Sequence, residues 1–239
     1  MKTVNSPDRA SFTSRMTVRE SVVALCYLPV HLVLLPTLLQ YLPETASLSE
    51  LSLNIIVYVT GSLFMLIFAG PFLRRDFDPL CDHPFFCVLQ VLICYGMMMA
   101  FNMLLSGLFL LFLPDSANPN NTAVMEMAGN EQGKIMALAV FLAPLVEEPI
   151  FRGAIFGLLY DRSRVLAIGV SMLLFSLYHV WGYALLDPAN LIYLLQYLPV
   201  SWLLCRCYER CDSIWGSILL HMFVNYISLA ALSSLQGMM

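Results

Sequence analysis

The sequence consists mostly of long apolar segments. Too few polar residues remain to cover the surface of a water-soluble fold. Seven such segments follow one another, over 21–42, 51–73, 84–113, 134–159, 165–184, 189–204 and 213–233. Most reach the about 20 residues that a helix needs to cross a hydrocarbon layer. Of the 239 residues only 12% are charged and 59% are hydrophobic, whereas soluble domains carry about 25% charged residues. The chain is therefore expected to be a membrane protein.

Backbone inside lipid must satisfy its own hydrogen bonds, which favours helices. The sequence thus predicts an all-α, polytopic transmembrane helical bundle of about seven spans, with six to eight possible. We divide it into a polar tail over 1–20, N-terminal helices with an outer loop over 21–133, and a core over 134–239. The first apolar segment has no signal-peptide cleavage site, so we expect it to remain as a span.

The Lys and Arg residues indicate the orientation of the helices, because basic residues collect in cytoplasmic loops. With the N-terminus inside, ten of the twelve lie in inner segments: Lys2, Arg9, Arg15, Arg19, Arg74, Arg75, Arg162, Arg164, Arg206 and Arg210. This asymmetry predicts a cytoplasmic N-terminus and an outer C-terminus. The polar segment 114–133 is expected to be an outer loop. The sequence has no basic stripe, so a nucleic-acid partner is not expected.

Charged residues in the middle of the fourth segment require an explanation, since ionisable groups inside a membrane are costly and usually functional. Glu148 and Arg152 are four residues apart, so they share one helix face and can pair. Glu147 points about 100° away and is left without that partner. Such a carboxylate is suited to act as a base. A purely structural ion pair is the alternative, but it would not need the second carboxylate.

Other polar residues lie at similar depth on two further segments. His179 is in the fifth segment, and His221 and Asn225 share one face of the seventh. Counted from the inner helix ends at about 1.5 Å per residue, these side chains, Glu147 and Arg152 lie roughly 12–22 Å into a layer about 30 Å thick. We therefore expect them to converge on one polar cavity inside the membrane.

These residues resemble the motifs of the CAAX protease and bacteriocin-processing family, also called the Abi or CPBP family. The three motifs are E-E-x-x-F-R-G, F-x-x-x-H and H-x-x-x-N or H-x-x-x-D. They stand here as Glu147 to Gly153, Phe175 to His179, and His221 to Asn225. The resemblance covers about 134–233, and the motifs occur in the family's order, each on a separate predicted span.

The resemblance implies an intramembrane glutamic endopeptidase, an all-helical bundle with a conical cavity. Glu147 and His179 would hold and deprotonate a water for attack on a peptide carbonyl. His221 and Asn225 would stabilise the oxyanion that develops.

Glu148 and Arg152 would support this set by orienting the catalytic helix. The implied partners are the lipid bilayer and a membrane protein or peptide substrate. Family substrates are prenylated CAAX proteins, bacteriocin precursors and bacterial proteins with C-terminal sorting tails. The expected location is the bacterial cytoplasmic membrane, or the endoplasmic reticulum membrane in a eukaryote; the oligomeric state is left open.

Three other functions are compatible with the same residues. No cofactor is expected, but Glu147, His179 and His221 could instead be zinc ligands with water as the fourth. The sequence lacks an H-E-x-x-H signature, which weighs against this version. A non-catalytic immunity or scaffold protein is a second alternative. A proton-coupled transporter is a third, and it predicts paired halves or interrupted helices that the sequence does not show.

Overall fold

The computed structural model describes residues 12–42, 47–114, 116–129 and 131–236, with side chains up to residue 231. These residues form helices joined by short connections, and the described ranges contain no β-strand. The predicted all-α class is confirmed.

The N-terminal half contains three long helices and two short ones. They are α1 (Val18–Tyr41), α2 (Glu50–Phe68), α3 (Gly70–Arg75), α4 (Asp78–Asp82) and α5 (Pro84–Phe112). The second apolar segment was predicted to continue to residue 73, but its helix ends at Phe68. Pro71 explains this, because it lacks the N–H that would continue the helix and instead stands at the start of α3.

The C-terminal half contains four long helices after a shorter one. They are α6 (Pro119–Ala128), α7 (132–160), α8 (Arg164–Leu186), α9 (Leu194–Cys211) and α10 (Ile214–Gln236). Pro188–Tyr193 form a 3₁₀ turn between α8 and α9. The sixth segment was predicted over 189–204, so its helix begins and ends later than expected.

Five helices are long and apolar enough to cross a membrane by length and composition, namely α1, α2, α5, α8 and α10. Large apolar side chains such as Leu104, Leu110 and Leu173 remain exposed on them, as a lipid-facing surface requires. The protein is therefore a polytopic helical membrane bundle. Crossing by α7 and α9, and with it the count of seven spans and their orientation, stays a prediction.

The segment 114–133 contains the helix α6, which was not foreseen, and its place outside the membrane stays a prediction. The Asn118 side chain accepts hydrogen bonds from the backbone N–H groups of Asn120 and Asn121, and Pro119 occupies the first helical turn. Both are typical of a helix start. The Asn118 amide also donates to Gln196 on α9 at 2.7 Å, so α6 is tied to the bundle.

α7 alternates between α-helical and π-helical turns. The second π-helical stretch, Pro149–Phe156, begins directly after the two glutamates. The ring nitrogen of Pro149 has no hydrogen to donate to the carbonyl of Leu145, so the ordinary helical pattern cannot continue there. Such π-helical turns frequently occur at functional sites.

The core lies around the C-terminal half of α9, which packs along α5, α8 and α10. Leu204, Cys205, Cys207 and Tyr208 on α9 are fully buried. The start of α10 is fixed separately, because the carboxylate of Asp76 accepts a hydrogen bond from the Ile214 N–H. This contact sets the position of the helix that carries His221 and Asn225.

Arg152 is fully buried and connects α7 to two neighbouring helices. Its guanidinium donates to Glu148 Oε1 at 3.1 Å, which confirms the predicted pair. It also donates to the hydroxyl and carbonyl oxygens of Ser201 on α9, at 2.8 and 3.2 Å. The guanidinium lies 4.2 Å from the ring centroid of Phe175 on α8. One side chain therefore holds three helices in register.

We predict that Arg152→Ala destabilises the bundle. Removal of one partner of a buried ion pair leaves the other charge uncompensated, at a typical cost of about 3–5 kcal/mol. Arg152→Lys should recover only part of this stability, because Lys lacks the planar fork that reaches both Glu148 and Ser201. Thermal unfolding and the yield of monodisperse protein in detergent measure the effect.

The matched control is Arg162→Ala, which removes an exposed arginine just after α7 and should change neither quantity. Equal unfolding temperatures for wild type and Arg152→Ala would contradict a structural role for the pair.

Candidate active site

Four helices bring polar side chains to one place in the bundle. Glu147 lies on α7, His179 on α8, and His221 and Asn225 on α10, while α2 adds Tyr58. The structure thus brings together all the residues that the sequence predicted for the site. It also shows that the predicted boundary at 133/134 does not separate the site from the N-terminal helices.

Glu147 lies at the centre of this group and is almost fully buried. Its Oε1 accepts a hydrogen bond from the Tyr58 hydroxyl at 3.0 Å. Its Oε2 lies 3.8 Å from His179 Nε2 and 3.9 Å from His221 Nε2, too far for direct hydrogen bonds. Oε2 has no hydrogen-bond partner among the described residues. A water placed between these atoms can donate a hydrogen to Glu147 Oε2 and its second hydrogen to one of the two imidazoles.

Both histidines are oriented by a contact at Nδ1. His179 Nδ1 lies 2.9 Å from the carbonyl oxygen of Phe175, one turn earlier on α8. His221 Nδ1 lies 2.8 Å from Glu148 Oε1. A carbonyl or carboxylate oxygen accepts, so each Nδ1 carries the hydrogen and each neutral ring presents the Nε2 lone pair to Glu147.

Glu148 therefore does more than pair with Arg152. Its Oε1 accepts from both the Arg152 guanidinium and His221 Nδ1. The carboxylate that the sequence assigned to orienting the helix also fixes the imidazole of α10. The sequence expectation that Glu147 has no partner was wrong in part, because Tyr58 was not foreseen.

Asn225 lies one turn beyond His221 on α10. Its amide nitrogen donates to the carbonyl oxygen of Ala139 on α7 at 2.7 Å. An amide carries two N–H groups and one carbonyl oxygen, so a donor remains for a substrate. The contact with Ala139 also fixes the direction in which that donor points.

Two cavities meet at these residues. The larger has a volume of about 550 Å³ and includes Glu147 in its lining. The smaller has about 280 Å³ and extends towards Asn102 on α5. His179, His221 and Asn225 line both. Among the described residues no Lys or Arg lines either cavity.

A further tyrosine, Tyr197 on α9, stacks on the His179 ring with centroids 4.6 Å apart and planes inclined by 22°. Its hydroxyl accepts from the amides of Asn118 and Asn120 at 3.2 and 3.0 Å. Sequence reasoning missed Tyr197 and Tyr58. The Asn118-Pro119 helix start was the available signal for α6, whereas nothing in the sequence distinguished these tyrosines from others.

Glu147 Oε2 and the two Nε2 atoms are also ligand types of catalytic zinc. Ligand atoms bound at 2.0–2.1 Å in a tetrahedron lie about 3.4 Å apart. Glu147 Oε2 is 3.8 and 3.9 Å from the histidine nitrogens, so the side chains would have to move closer together. Among the described residues no group of three His, Cys, Asp or Glu is arranged to hold a metal ion.

Comparison with known proteins agrees with the motifs. A family model described as "Type II CAAX prenyl endopeptidase Rce1-like" matches residues 131–227. Over 92 residues, 38% of this chain, the sequence is 29% identical to a Bacillus subtilis (strain 168) protein named "Putative membrane peptidase YdiL". The match spans 34% of that relative's length. No solved structure matches the chain.

The family model covers the helices that carry all three motifs, and the structure brings their polar residues together around one cavity. The chain is thus a polytopic helical membrane protein whose residues 131–227 are similar to the Rce1-like type II CAAX prenyl endopeptidase family.

Proposed function

We propose that this protein is an intramembrane endopeptidase in which Glu147 activates a water molecule for attack on a peptide bond. The observation that carries the proposal is the unpartnered Oε2 of Glu147, which faces the Nε2 atoms of His179 and His221 in a cavity. Glu148 Oε2 also lacks a hydrogen-bond partner among the described residues, but Glu148 lines neither cavity, whereas Glu147 lines the larger one and can accept a proton from a water there.

In the proposed reaction, a water held by Glu147 and His179 attacks the carbonyl carbon while Glu147 takes its proton. The carbonyl oxygen becomes an oxyanion in a tetrahedral intermediate. Collapse of the intermediate breaks the C–N bond, and the proton held by Glu147 passes to the leaving amine. The products are a carboxylic acid and an amine, and Glu147 is ionised again.

Asn225 is the proposed donor to the oxyanion, through the amide N–H that Ala139 does not use. His221 serves the oxyanion only in its protonated form, because its neutral form carries hydrogen at Nδ1, on Glu148. Glu148 would then balance the positive charge. The geometry therefore requires a protonated His221 for this role, a condition that the motif resemblance does not include.

The proposed substrates are membrane-associated proteins or peptides, of the CAAX, bacteriocin-precursor or C-terminal sorting type. A family model named for CAAX prenyl endopeptidases and a bacterial relative named as a membrane peptidase support this range. We favour a bacterial protein substrate and the bacterial cytoplasmic membrane, with the endoplasmic reticulum as the eukaryotic equivalent. A zinc-dependent protease and a non-catalytic family member are the competing proposals, and the experiments below separate them.

We predict that Glu147→Gln abolishes cleavage while the protein stays folded. Gln keeps the side-chain volume and the oxygen that Tyr58 contacts, but it cannot take a proton from water. The loss should be at least the 10²–10⁴-fold typical of general acid–base catalysis. The assay is cleavage of internally quenched peptides, with and without a prenylated cysteine, by protein in liposomes.

Glu126→Gln, at an exposed position on α6, is the control and should retain full activity. Substantial cleavage by Glu147→Gln would remove Glu147 from the base position. Failure of the wild type to cleave any peptide tested, and any protein of its native membrane, would favour a non-catalytic member.

We predict that Asn225→Ala lowers kcat by about 10²–10³-fold, the usual loss on removal of an oxyanion donor. Ser228→Ala, one turn further along α10 in the same cavities, should stay close to wild type. A rise in KM with unchanged kcat would instead make Asn225 a substrate-binding residue.

We predict that chelators leave cleavage unchanged. In the proposed reaction the proton acceptor is Glu147, and no step needs a metal ion. The measurement combines metal analysis of purified protein with a chelator titration. Stoichiometric zinc, together with activity lost to chelator and restored by zinc alone, would establish the zinc-dependent protease with Glu147, His179 and His221 as ligands.

A further inference from the structure

Two tyrosine hydroxyls outside the charged and histidine motif positions lie in series behind Glu147. Tyr58 on α2 donates to Glu147 Oε1 at 3.0 Å. Tyr178 on α8, the residue before His179, has its hydroxyl 2.8 Å from that of Tyr58. Tyr58 lies outside the segment that the family model matches, residues 131–227.

The direction of these two bonds follows from proton counting. A phenol has one hydrogen to donate and two lone pairs to accept with. The carboxylate oxygen of Glu147 can only accept, so Tyr58 uses its hydrogen there. Tyr178 must then donate to the Tyr58 oxygen. The result is a chain of two donors that ends on Glu147, and in such chains each bond polarises and strengthens the next.

The hydrogen bonds from Tyr178 to Tyr58 and from Tyr58 to Glu147 determine which oxygen of Glu147 faces the reacting water. The terminal torsion of a glutamate is broad and roughly two-fold, so it does not by itself fix the direction of the carboxylate. A donor bound to Oε1 turns Oε2 towards His179 and His221. Without that donor, the carboxylate would be free to rotate away from the water.

Packing holds the two tyrosine rings in place. The ring of His31 on α1 packs edge to face against the Tyr58 ring, with centroids 4.9 Å apart. It lies nearly parallel to the Tyr178 ring, with centroids 6.5 Å apart. His31 approaches this closely because Gly61 on α2 has no side chain. A Cβ there would lie 3.1 Å from His31 Nδ1 and 2.9 Å from Val146 Cγ2. The tyrosines are therefore held in a preformed position.

We propose that Tyr58 is a positioning residue for the general base, and that Tyr178 acts on Glu147 through Tyr58. The inference rests on the proposed function, and it makes the N-terminal helices part of the working site. It predicts a defect in the chemical step and not in substrate binding, because neither hydroxyl has a hydrogen left to donate to the substrate in this arrangement.

The test compares Tyr58→Phe, Tyr178→Phe and the double variant in the liposome assay with the best-cleaved quenched peptide. Tyr58→Phe should lower kcat by about 10- to 100-fold, as expected for loss of a hydrogen bond to a charged group, with KM within about twofold of wild type. Tyr178→Phe should lower kcat by about 2- to 10-fold, since it removes a bond between neutral groups.

The double variant shows whether Tyr178 acts through Tyr58 or whether the two hydroxyls affect Glu147 independently. If Tyr178 acts through Tyr58, its removal adds nothing once Tyr58 is Phe, so the double variant should match Tyr58→Phe within about twofold. Losses that multiply would overturn the series arrangement. The matched control is Tyr95→Phe on α5, whose hydroxyl makes no hydrogen bond with the described residues and which should retain full activity.

Thermal unfolding of each variant separates a positioning role from a folding role. If Tyr58→Phe fails to fold, Tyr178→Phe carries the test, because it must lower kcat at unchanged KM. Wild-type kcat in Tyr58→Phe, or a loss confined to KM, overturns the inference. Glu147→Gln is assayed in parallel. If that variant is inactive while Tyr58→Phe is fully active, only this inference fails; if Glu147→Gln cleaves normally, the proposed function itself fails.

Discussion

The buried ion pair between Glu148 and Arg152 is the contact on which the rest of the arrangement depends. Both side chains are fully shielded from solvent, and a charge there is tolerated only with partners. Those partners come from other helices: His221 on α10, Ser201 on α9 and the ring of Phe175 on α8. Because loss of any one of them leaves charge poorly compensated in a medium of low polarity, the ion pair fixes the register of four helices at once.

The two adjacent glutamates have different roles because neighbouring positions on a helix point in different directions. Glu148 faces Arg152 and His221, so its Oε1 is fully engaged in holding the bundle. Glu147 faces the cavity, where Oε1 is held and Oε2 is free. Two carboxylates one residue apart thus have different surroundings, which suit Glu148 to a fixed support and Glu147 to its proposed role as the reactive group.

The sequence identified residues whose side chains are energetically costly to place inside a membrane, and it did not identify those that a membrane tolerates easily. Glu147 and His179 stand out in apolar segments because an ionisable group there needs a reason. The spacing of four that links Glu148 to Arg152 is a property of one helix, so it could be read directly. Tyr58 gives no such signal, since tyrosine is common in membrane helices and its partner lies on a different helix.

The helix α6 was not foreseen for a related reason. Asn and Pro are frequent in loops, and composition alone therefore indicated a loop, although Asn118 and Pro119 are equally typical of a helix start. Only tertiary contacts decide between these possibilities, and here the amides of Asn118 and Asn120 meet the hydroxyl of Tyr197 on α9. The same contact reaches the site, because the Tyr197 ring stacks on His179.

The family match begins at residue 131 and ends at residue 227. The proposed base, two imidazoles and amide all lie within this segment, and their motifs form a recognisable pattern. A hydroxyl that orients the base can come from any helix that packs alongside, and here α2 supplies it through Tyr58. Gly61 lets α1 pack against that helix closely enough for His31 to hold the tyrosine ring. The matched segment therefore leaves out Tyr58, and under the proposed function the N-terminal helices belong to the site because they fix the direction of the Glu147 carboxylate.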